Sequence, residues 1–483
     1  MAQLVSINAA HDPSRTAVVD SETRLSWGEL DRAVTRAAAA LRRAGAKPGD
    51  RVALELGTGV AFTVLYLGAL RAGVIAVPVN PAYTPPEIDY VVRDCGAALH
   101  LTPETAREVL AAAPEGADPP EGADPPADRV GAAVAVLLYT SGTSGRPRAA
   151  MLSAGALLAN VDQLAAVEPA VLRADDVLFV PLPLCHVFGL NAGLGMALRV
   201  GATVVLADRF DAAATLATMA AERVSAVLGV PGQYVQWLQE PAVGTGFAAV
   251  RFAMSGSATL PYAVVEGFAE LGVVLHDGYG LTEAAPVVTI NAIGPGSGPP
   301  KPGSIGVALP GVQIELRDAD GERTGPDDPG RLFVRGANLF SGYWPDGSDG
   351  PDADGWFGTG DIAVTDADGE LHLVGRSTEL VIVNGFNVYP AEVEAVLAAQ
   401  PGVGEVAVVG VADQRSGEAV RAYVVPAAHA VLDPDKLLAA AARSLARFKL
   451  PREIEIVTEL PRTVTGKVMK WQLRAAERAD GAA

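Results

Sequence analysis

Cysteine is nearly missing from this chain: 483 residues hold only Cys95 and Cys185. They lie far apart and lack metal-ligand spacing, which excludes a disulfide scaffold or a zinc cluster and leaves two reduced, structural thiols. Aromatic residues make up 6% of a chain that is 49% hydrophobic, so the cores must be built mainly from Ala, Val and Leu. Positive charge is scarce, with 37 Lys and Arg against 56 Asp and Glu, a net charge of −19. That balance argues against a nucleic-acid partner or an anionic membrane surface. No HExxH, CxxC, GxGxxG or GxSxG motif occurs, which removes the usual zincin, dinucleotide-binding and hydrolase chemistries. Residues 1–10 have neither a basic start nor a sustained apolar core, so no signal peptide is expected. The longest uncharged run, residues 177–198, could span a bilayer by length alone. It contains Pro181, Pro183, His186, Asn191 and three glycines, so it reads as buried strand, loop and helix. A cytoplasmic protein with no membrane span is the expectation.

Short apolar strands alternating with amphipathic helices fill most of what remains. Leu30, Val34, Ala37 and Leu41 recur at helical spacing in residues 25–45. Strands are expected at 51–56, 74–80, 202–206, 226–230 and 273–277, with helices at 62–72, 86–93, 212–223 and 261–271. That order implies βαβ units and largely parallel sheets. Residues 115–120, Glu-Gly-Ala-Asp-Pro-Pro, repeat at once as 121–126 and read as an exposed linker. From 303 to 373 the texture changes to short strands with Gly and Asp turns, at 312–317, 330–334, 362–365 and 371–374. After Arg376 a smaller α/β unit is expected, with helices at 390–400 and 434–446 and strands at 405–411 and 419–425.

Residues 139–148 read Tyr-Thr-Ser-Gly-Thr-Ser-Gly-Arg-Pro-Arg and follow an apolar run. Gly142 and Gly145 let backbone approach a ligand closely. Thr140, Ser141, Thr143 and Ser144 supply hydroxyls, and Arg146 and Arg148 add charge. The loop suits a polyphosphate, although composition alone allows a plain surface turn equally well. It is not a Walker loop, because the glycine spacing differs and no Lys-Ser/Thr follows. Further along come Tyr-Gly-Leu-Thr-Glu (279–283), Gly-Trp-Phe-Gly-Thr-Gly-Asp (355–361), Gly-Arg (375–376) ahead of Asn-Gly-Phe-Asn-Val-Tyr-Pro (384–390), and Pro-Arg-Thr-Val-Thr-Gly-Lys (461–467).

In this order and at these distances, the set resembles the adenylate-forming superfamily of acyl- and aryl-CoA synthetases, carrier-protein adenylation domains and luciferases. The resemblance runs from about residue 25 to 474, and length and the 384–390 wording look most like acyl-CoA synthetases. It implies an α/β fold. A large N-terminal domain of βαβ sheets with a small β-rich subdomain, residues 1–376, would bind ATP and acid. A small mobile α/β C-terminal domain, residues 377–483, would act as a lid and carry the catalytic lysine. The implied reaction joins a carboxylic acid to coenzyme A through an acyl-adenylate, with ATP and Mg²⁺. Activation needs the triphosphate held, Mg²⁺ bound, the carboxylate aligned with the α-phosphorus and the developing charge neutralised.

The resemblance also assigns roles. Thr140, Ser141, Gly142, Thr143, Ser144, Gly145 and Arg148 would cradle the phosphates. Glu283 would ligate Mg²⁺ as a hard oxygen donor and Thr282 would touch the α-phosphate. Gly256, Ser257, Ala258, Asp277, Gly278, Tyr279 and Gly280 would line the adenine pocket. Asp361 and Arg376 would grip the ribose, where the bland alternative is a structural ion pair across a turn. Lys467 would reach the carboxylate and the α-phosphate during adenylation. His186 would gate the acid pocket, without acting as a general base. Val187, Phe188, Gly256, Gly280, Pro286 and Val287 would wall the acyl group, and Asn387 would come over the site for thioester formation. A wall without charge suits an apolar acid, with a medium or long fatty acid expected. An aryl acid, or transfer to a carrier protein or amine, is the alternative. The sequence departs from the family pattern where Arg148 replaces a lysine, Ala149 a glycine, Thr378 the hinge Asp or Lys, and Arg331 a common Glu.

Overall fold

The computed structural model describes the chain except for residues 112–132, 141–146, 259, 295–297, 327, 377–378, 384–385, 414–416, 463–467, 471 and 475–483. The repeated 115–126 segment therefore lies outside the described residues. Contacts divide the chain into two compact units. One comprises Met1–Ile314 and Val334–Phe357, the other Glu315–Phe333 and Gly358–Ala483.

In the first unit, helix Trp27–Arg43 shows how pattern becomes packing. Ser26 caps it: its Oγ accepts from Glu29 N, and Glu29 Oε2 accepts in turn from Ser26 N at 2.8 Å. Leu30, Val34, Ala37 and Leu41 are buried as their spacing requires. They face helix Val60–Arg71, where a Cβ on Gly68 would stand 2.6 Å from that of Ala37. Glycine there lets the two helices close up.

One sheet of this unit has the strand order Leu99–Leu101, Arg51–Glu55, Ile75–Val79, Val134–Thr140, Arg148–Ser153. All neighbours are parallel except the last pair, which brackets residues 141–147. In a second sheet, strands Thr203–Leu206, Val177–Val180, Ala226–Gly229, Phe252–Ser255 and Leu275–Gly280 lie side by side and parallel. Val177–Val180 pairs on one side with the strand that follows it and on the other with the next in sequence. A reversal of order of this kind opens a crevice at the strands' carboxyl ends. The candidate residues 186–188, 256–258 and 277–280 sit at or just beyond those ends.

Strand alternation gives the second sheet two different faces. Phe179, Val227, Ala253 and Leu275 join a core with Tyr234, Trp237, Phe247 and Phe268. Leu178, Leu228, Phe252 and Met254 point the other way, beneath helix Ala154–Ala165 and the segment 188–200. The uncharged run 177–198 is strand, loop and helix as expected, but Phe188–Gly195 winds as a π-helix before an α-helical turn at Met196–Val200. A Cβ on Gly189 would lie 2.7 Å from Pro183 O, so glycine is what lets this helix start against the preceding loop. Among the described residues no helix is long and apolar enough to cross a membrane.

In the second unit, strands Phe357–Thr365 and Leu371–Arg376 pair antiparallel. Val381–Val383, Phe386–Val388, Val403–Asp413, Gly417–Pro426 and Glu453–Ile456 form a separate sheet. Its core packs Val381, Val408, Val420 and Val424 against Val393 and Leu397 of helix Pro390–Ala398 and Leu437 of helix Pro434–Ala441. The helix expected over 434–446 stops at Ala441. Tighter turns at Arg443 and Ser444 follow and still bury Leu445.

Candidate active site

Alternation at the ends of two parallel strands splits the nucleotide candidates between two faces of the sheet. Met254 stands opposite His276 and Ser255 opposite Asp277. Asp277 therefore shares the face of Ala253 and Leu275, while Gly256 and Gly278 share that of Met254. Asp277 is 8% exposed, and burial pushes its carboxyl up to about 7. Backbone N–H groups of Leu260 and Gly278 bond to the carboxylate and offset part of that rise. Its own N–H donates to Asn291 Oδ1 at 2.8 Å, and Asn291 Nδ2 donates to Ser304 O. Tyr279 is buried, and Ser257 and Ala258 are exposed. Ser257 has φ +72°, an uncommon backbone for a residue with a Cβ and one that turns the chain sharply at the strand end.

The face shared with Met254 is shaped by the absence of side chains as much as by their presence. A Cβ on Gly256 would meet the Phe188 ring at 3.2 Å, and one on Gly278 would meet Met254 Sδ at 3.1 Å. One on Gly280 would sit 2.2 Å from Pro286 O, so no other residue fits there without moving backbone. Val187 and Val287 are buried. His186 is half-buried where the chain turns into the π-helix, its N–H donating to Pro183 O at 3.1 Å.

Thr282–Ala284 form a short 3₁₀ turn, Ala285 takes φ +63°, and strand Val287–Ile290 follows. Buried amides from three other places in the chain hold this segment. Asn338 Nδ2 donates to Ala284 O at 2.7 Å and Asn191 Nδ2 to Ala285 O at 2.7 Å. Asn160 bonds both N and O of Val287, at 3.1 and 2.7 Å. Gln163 joins Asn160 to Asn338 at 3.2 Å on either side. A lost partner in such a network leaves a buried polar group at a cost of about 1–3 kcal/mol, so each amide fixes the turn firmly. None of the four was expected from sequence; the available signal was an amide inside an otherwise apolar helical run, as at Asn191.

Glu283 is gripped twice. Its carbonyl accepts from Phe340 N at 2.8 Å, and its Oε1 accepts from Tyr343 Oη at 2.5 Å. Burial, then the neighbouring Glu283 charge, pushes the Tyr343 phenol up, so it stays a donor. The Arg148 guanidinium lies over the Tyr343 ring, 3.9 Å from its centroid, and pairs with Asp349 at 2.8 Å. Tyr343, also unforeseen, thus joins Glu283 to the strand that leaves the phosphate-loop candidate. Thr140 faces Arg148 across the two strands. The shoulders of the loop are pinned as well: Tyr139 Oη donates to Asp94 at 2.6 Å and Tyr90 Oη to Pro147 O at 3.0 Å. Ser141, Gly142, Thr143, Ser144 and Gly145 lie outside the described residues.

Among the described residues no three His, Cys, Asp or Glu side chains gather into a metal cage. A single carboxylate with one oxygen fixed by a phenol fits Mg²⁺ that arrives on a triphosphate, since Mg²⁺ is usually held by one or two carboxylates plus phosphates.

In the second unit, Asp361 and Arg376 are direct cross-strand partners, with Nε–Oδ1 at 3.2 Å. Asp361 is 7% exposed and the Arg376 side chain 50%, so the pair presents a guanidinium edge to solvent. Asn387 lies in strand Phe386–Val388 opposite Ile382. Lys467 and Thr378 lie outside the described residues. Three residues beyond Lys467, Lys470 is half-buried between Glu379 and Glu394, both at 2.8 Å.

Residues 5–344 match the family model for AMP-binding enzymes, and residues 392–467 match that for the AMP-binding enzyme C-terminal domain. A feruloyl-CoA synthase from an Amycolatopsis species is 37% identical, with 96% of each chain covered. A long-chain-fatty-acid–CoA ligase from Yersinia pestis is 32% identical, over 90% of this chain and 86% of its own. The crystal structure of ATP-bound MatB from Rhodopseudomonas palustris superposes with a TM-score of 0.89 at 33% identity, covering 98% of both chains. The chain therefore belongs to the AMP-binding enzyme family, on the acyl-CoA synthetase branch of the adenylate-forming superfamily.

Proposed function

We propose that this protein activates an apolar monocarboxylic acid with ATP and transfers the acyl group to the thiol of coenzyme A. The observation that carries this reading is the acid wall. Val187, Phe188, Gly256, Gly278, Gly280, Pro286 and Val287 offer no charge, and buried amides behind the wall bond to backbone. A second carboxylate or an ammonium on the acid would meet no partner there. An aromatic acid is our first reading. The feruloyl-CoA synthase matches at higher identity and coverage than the fatty-acid ligase, and the Phe188 ring packed against Gly256 gives the wall an aromatic edge. A fatty acid is the second reading.

In the first step a carboxylate oxygen attacks the α-phosphorus of ATP and pyrophosphate leaves. Residues 140–145 and Arg148 hold the phosphates, Glu283 holds Mg²⁺, and Thr282 meets the α-phosphate. Asp277, Tyr279 and residues 256–258 take the adenine, and Asp361 with Arg376 takes the ribose. Mg²⁺, when bound, screens the triphosphate charge. The Lys467 ammonium meets the charge that builds between carboxylate and phosphate. In the second step the CoA thiolate attacks the mixed anhydride and AMP leaves. Residues 377–483 act as a lid between the two steps, withdrawing Lys467 and bringing Asn387 over the site. An open pocket in the second unit supports CoA as acceptor. It is lined by Arg447, Phe448 and Arg452 with Val383, Val420 and Leu450, Lys449 Nζ lies 5.9 Å from the Phe448 ring centroid, and cations near an aromatic ring suit a phosphorylated nucleotide.

The test is AMP release with and without CoA over a panel of aromatic and fatty acids. CoA-stimulated AMP release with an apolar acid is the expected result. Acid-dependent pyrophosphate release that CoA leaves unchanged would move the acceptor to a carrier protein or an amine.

A further inference from the structure

The loop that carries His186 is tied to a group 126 residues away in sequence. It runs between strand Val177–Val180 and the helical segment that begins at Phe188. Two buried side chains hold it. Gln233 Nε2 donates to Pro181 O at 2.7 Å, while Gln233 Oε1 accepts from Val230 N at 3.1 Å. Further along, the Thr58 hydroxyl accepts from Leu184 N at 3.0 Å. Leu184 stands just ahead of Cys185 and His186, where the chain turns on the bond from His186 N to Pro183 O. Thr58 is fixed in its turn, since its own N–H donates to Asp208 Oδ1 at 2.6 Å. A Cβ on Gly57 would stand 2.5 Å from that same oxygen, so glycine there lets the carboxylate come against the backbone. Asp208 itself follows strand Thr203–Leu206. Leu182 and Leu184 are buried too, but apolar packing is non-directional, whereas a hydrogen bond fixes distance and angle. Thr58 is also buried, so solvent does not readily replace its oxygen at Leu184 N.

We propose that Thr58 is a positioning residue for the acid gate: through Leu184 N it sets where His186 stands, with Asp208 holding Thr58 in place. This rests on the acid-ligase reading, with His186 as its gate, and adds to it a residue that acts on the gate from a distant part of the chain. Thr58→Val keeps the side-chain shape and removes the acceptor, whereas Thr58→Ser keeps the acceptor. Both are compared with wild type, with His186→Ala, and with Thr58→Val combined with His186→Ala. Acid-dependent pyrophosphate release gives kcat/KM for the acid, and calorimetry gives ATP affinity. The rate at which diethyl pyrocarbonate modifies His186, followed by mass spectrometry, reports the freedom of the imidazole without any turnover. Thr58→Val should lower kcat/KM for the acid about tenfold, the worth of one well-placed hydrogen bond. It should leave ATP affinity unchanged and speed the modification of His186. Thr58→Ser should restore all three to wild-type values. In the His186→Ala background, Thr58→Val should have almost no further effect on kcat/KM, because the group it positions is gone. A full tenfold loss in that background, or a parallel loss of ATP affinity, makes Thr58 a packing residue and overturns the proposal. An unchanged His186 rate in Thr58→Val overturns it as well. Asp208→Ala, which releases Thr58 from outside the loop, must speed His186 modification too, and this keeps the test decisive where Thr58→Val folds poorly. Faster His186 modification in a protein that turns over no acid supports Thr58 as the positioning residue and counts against the ligase reading alone.

Discussion

The two units hold their candidate residues in opposite ways. In the first, the turn carrying Thr282 and Glu283 is fastened by fully buried, uncharged groups: Asn160, Asn191 and Asn338. In the second, Asp361 meets a half-exposed Arg376, and Lys467 follows a stretch whose ties, such as Arg462 to Glu405, are exposed ion pairs. Exposed pairs add little stability, whereas buried amide networks are costly to break. Substitutions in the first unit should therefore be felt in stability as well as activity. Those at the second unit's presented residues should be felt in activity alone.

Lys467→Ala should give the largest effect. Oriented charge in a closed site contributes about 3–4 kcal/mol, so acyl-adenylate formation should fall roughly a hundredfold or more. The melting temperature should stay within a degree or two, and thioester formation from supplied acyl-adenylate and CoA should persist. Loss of both half-reactions in a folded variant would sink the division of labour. Asn191→Ala should do the reverse. It removes the amide donor to Ala285 O and opens a small cavity, destabilising the protein by about 3 kcal/mol in denaturant titration. A change under about 0.5 kcal/mol would mean that the amide network does not fasten the turn.

A smaller effect is expected of Asp277. Its folded pKa is raised, so its contribution is fully present below the unfolded value near 4 and is lost as pH rises through about 7. Wild-type stability should drop by about 2 kcal/mol from this group between pH 5 and pH 8, and Asp277→Asn should flatten that slope. Equal slopes in the two proteins would contradict the burial argument. Tyr343→Phe should be mildest, at about 1 kcal/mol for one hydrogen bond at a partly open carboxylate. It should raise the Mg²⁺ needed for ATP binding by calorimetry and leave acid binding alone. Equal weakening of both would make Tyr343 a packing residue only.

Much of this was legible before any coordinates, and the reason is local. Helix Trp27–Arg43 and the parallel strands announce themselves through period and composition, whereas the π-helical winding of Phe188–Gly195 does not. The site motifs are contiguous words: residues 279–283 form one strand end and its turn, and Asp361 and Arg376 fall on paired strands. What stayed hidden depends on distant segments meeting. Asn160, Asn191 and Asn338 lie 127, 94 and 54 positions from the groups they hold. Tyr343 reaches Glu283 across 60. An amide or phenol in sequence says nothing of its partner until the chain folds. The acid's identity was not legible, since an uncharged wall limits charge and says little of shape, so a fatty acid and an aromatic acid both remain open.

The most direct test of the account compares two acids of equal length, one ending in a methyl group and one in a second carboxylate. An isolated carboxylate at an apolar wall costs several kcal/mol, so kcat/KM for CoA-dependent AMP release should favour the methyl-ended acid by about a hundredfold or more. A dicarboxylate turned over as well as the methyl-ended acid, or better, would contradict the apolar wall and with it the proposed class of substrate.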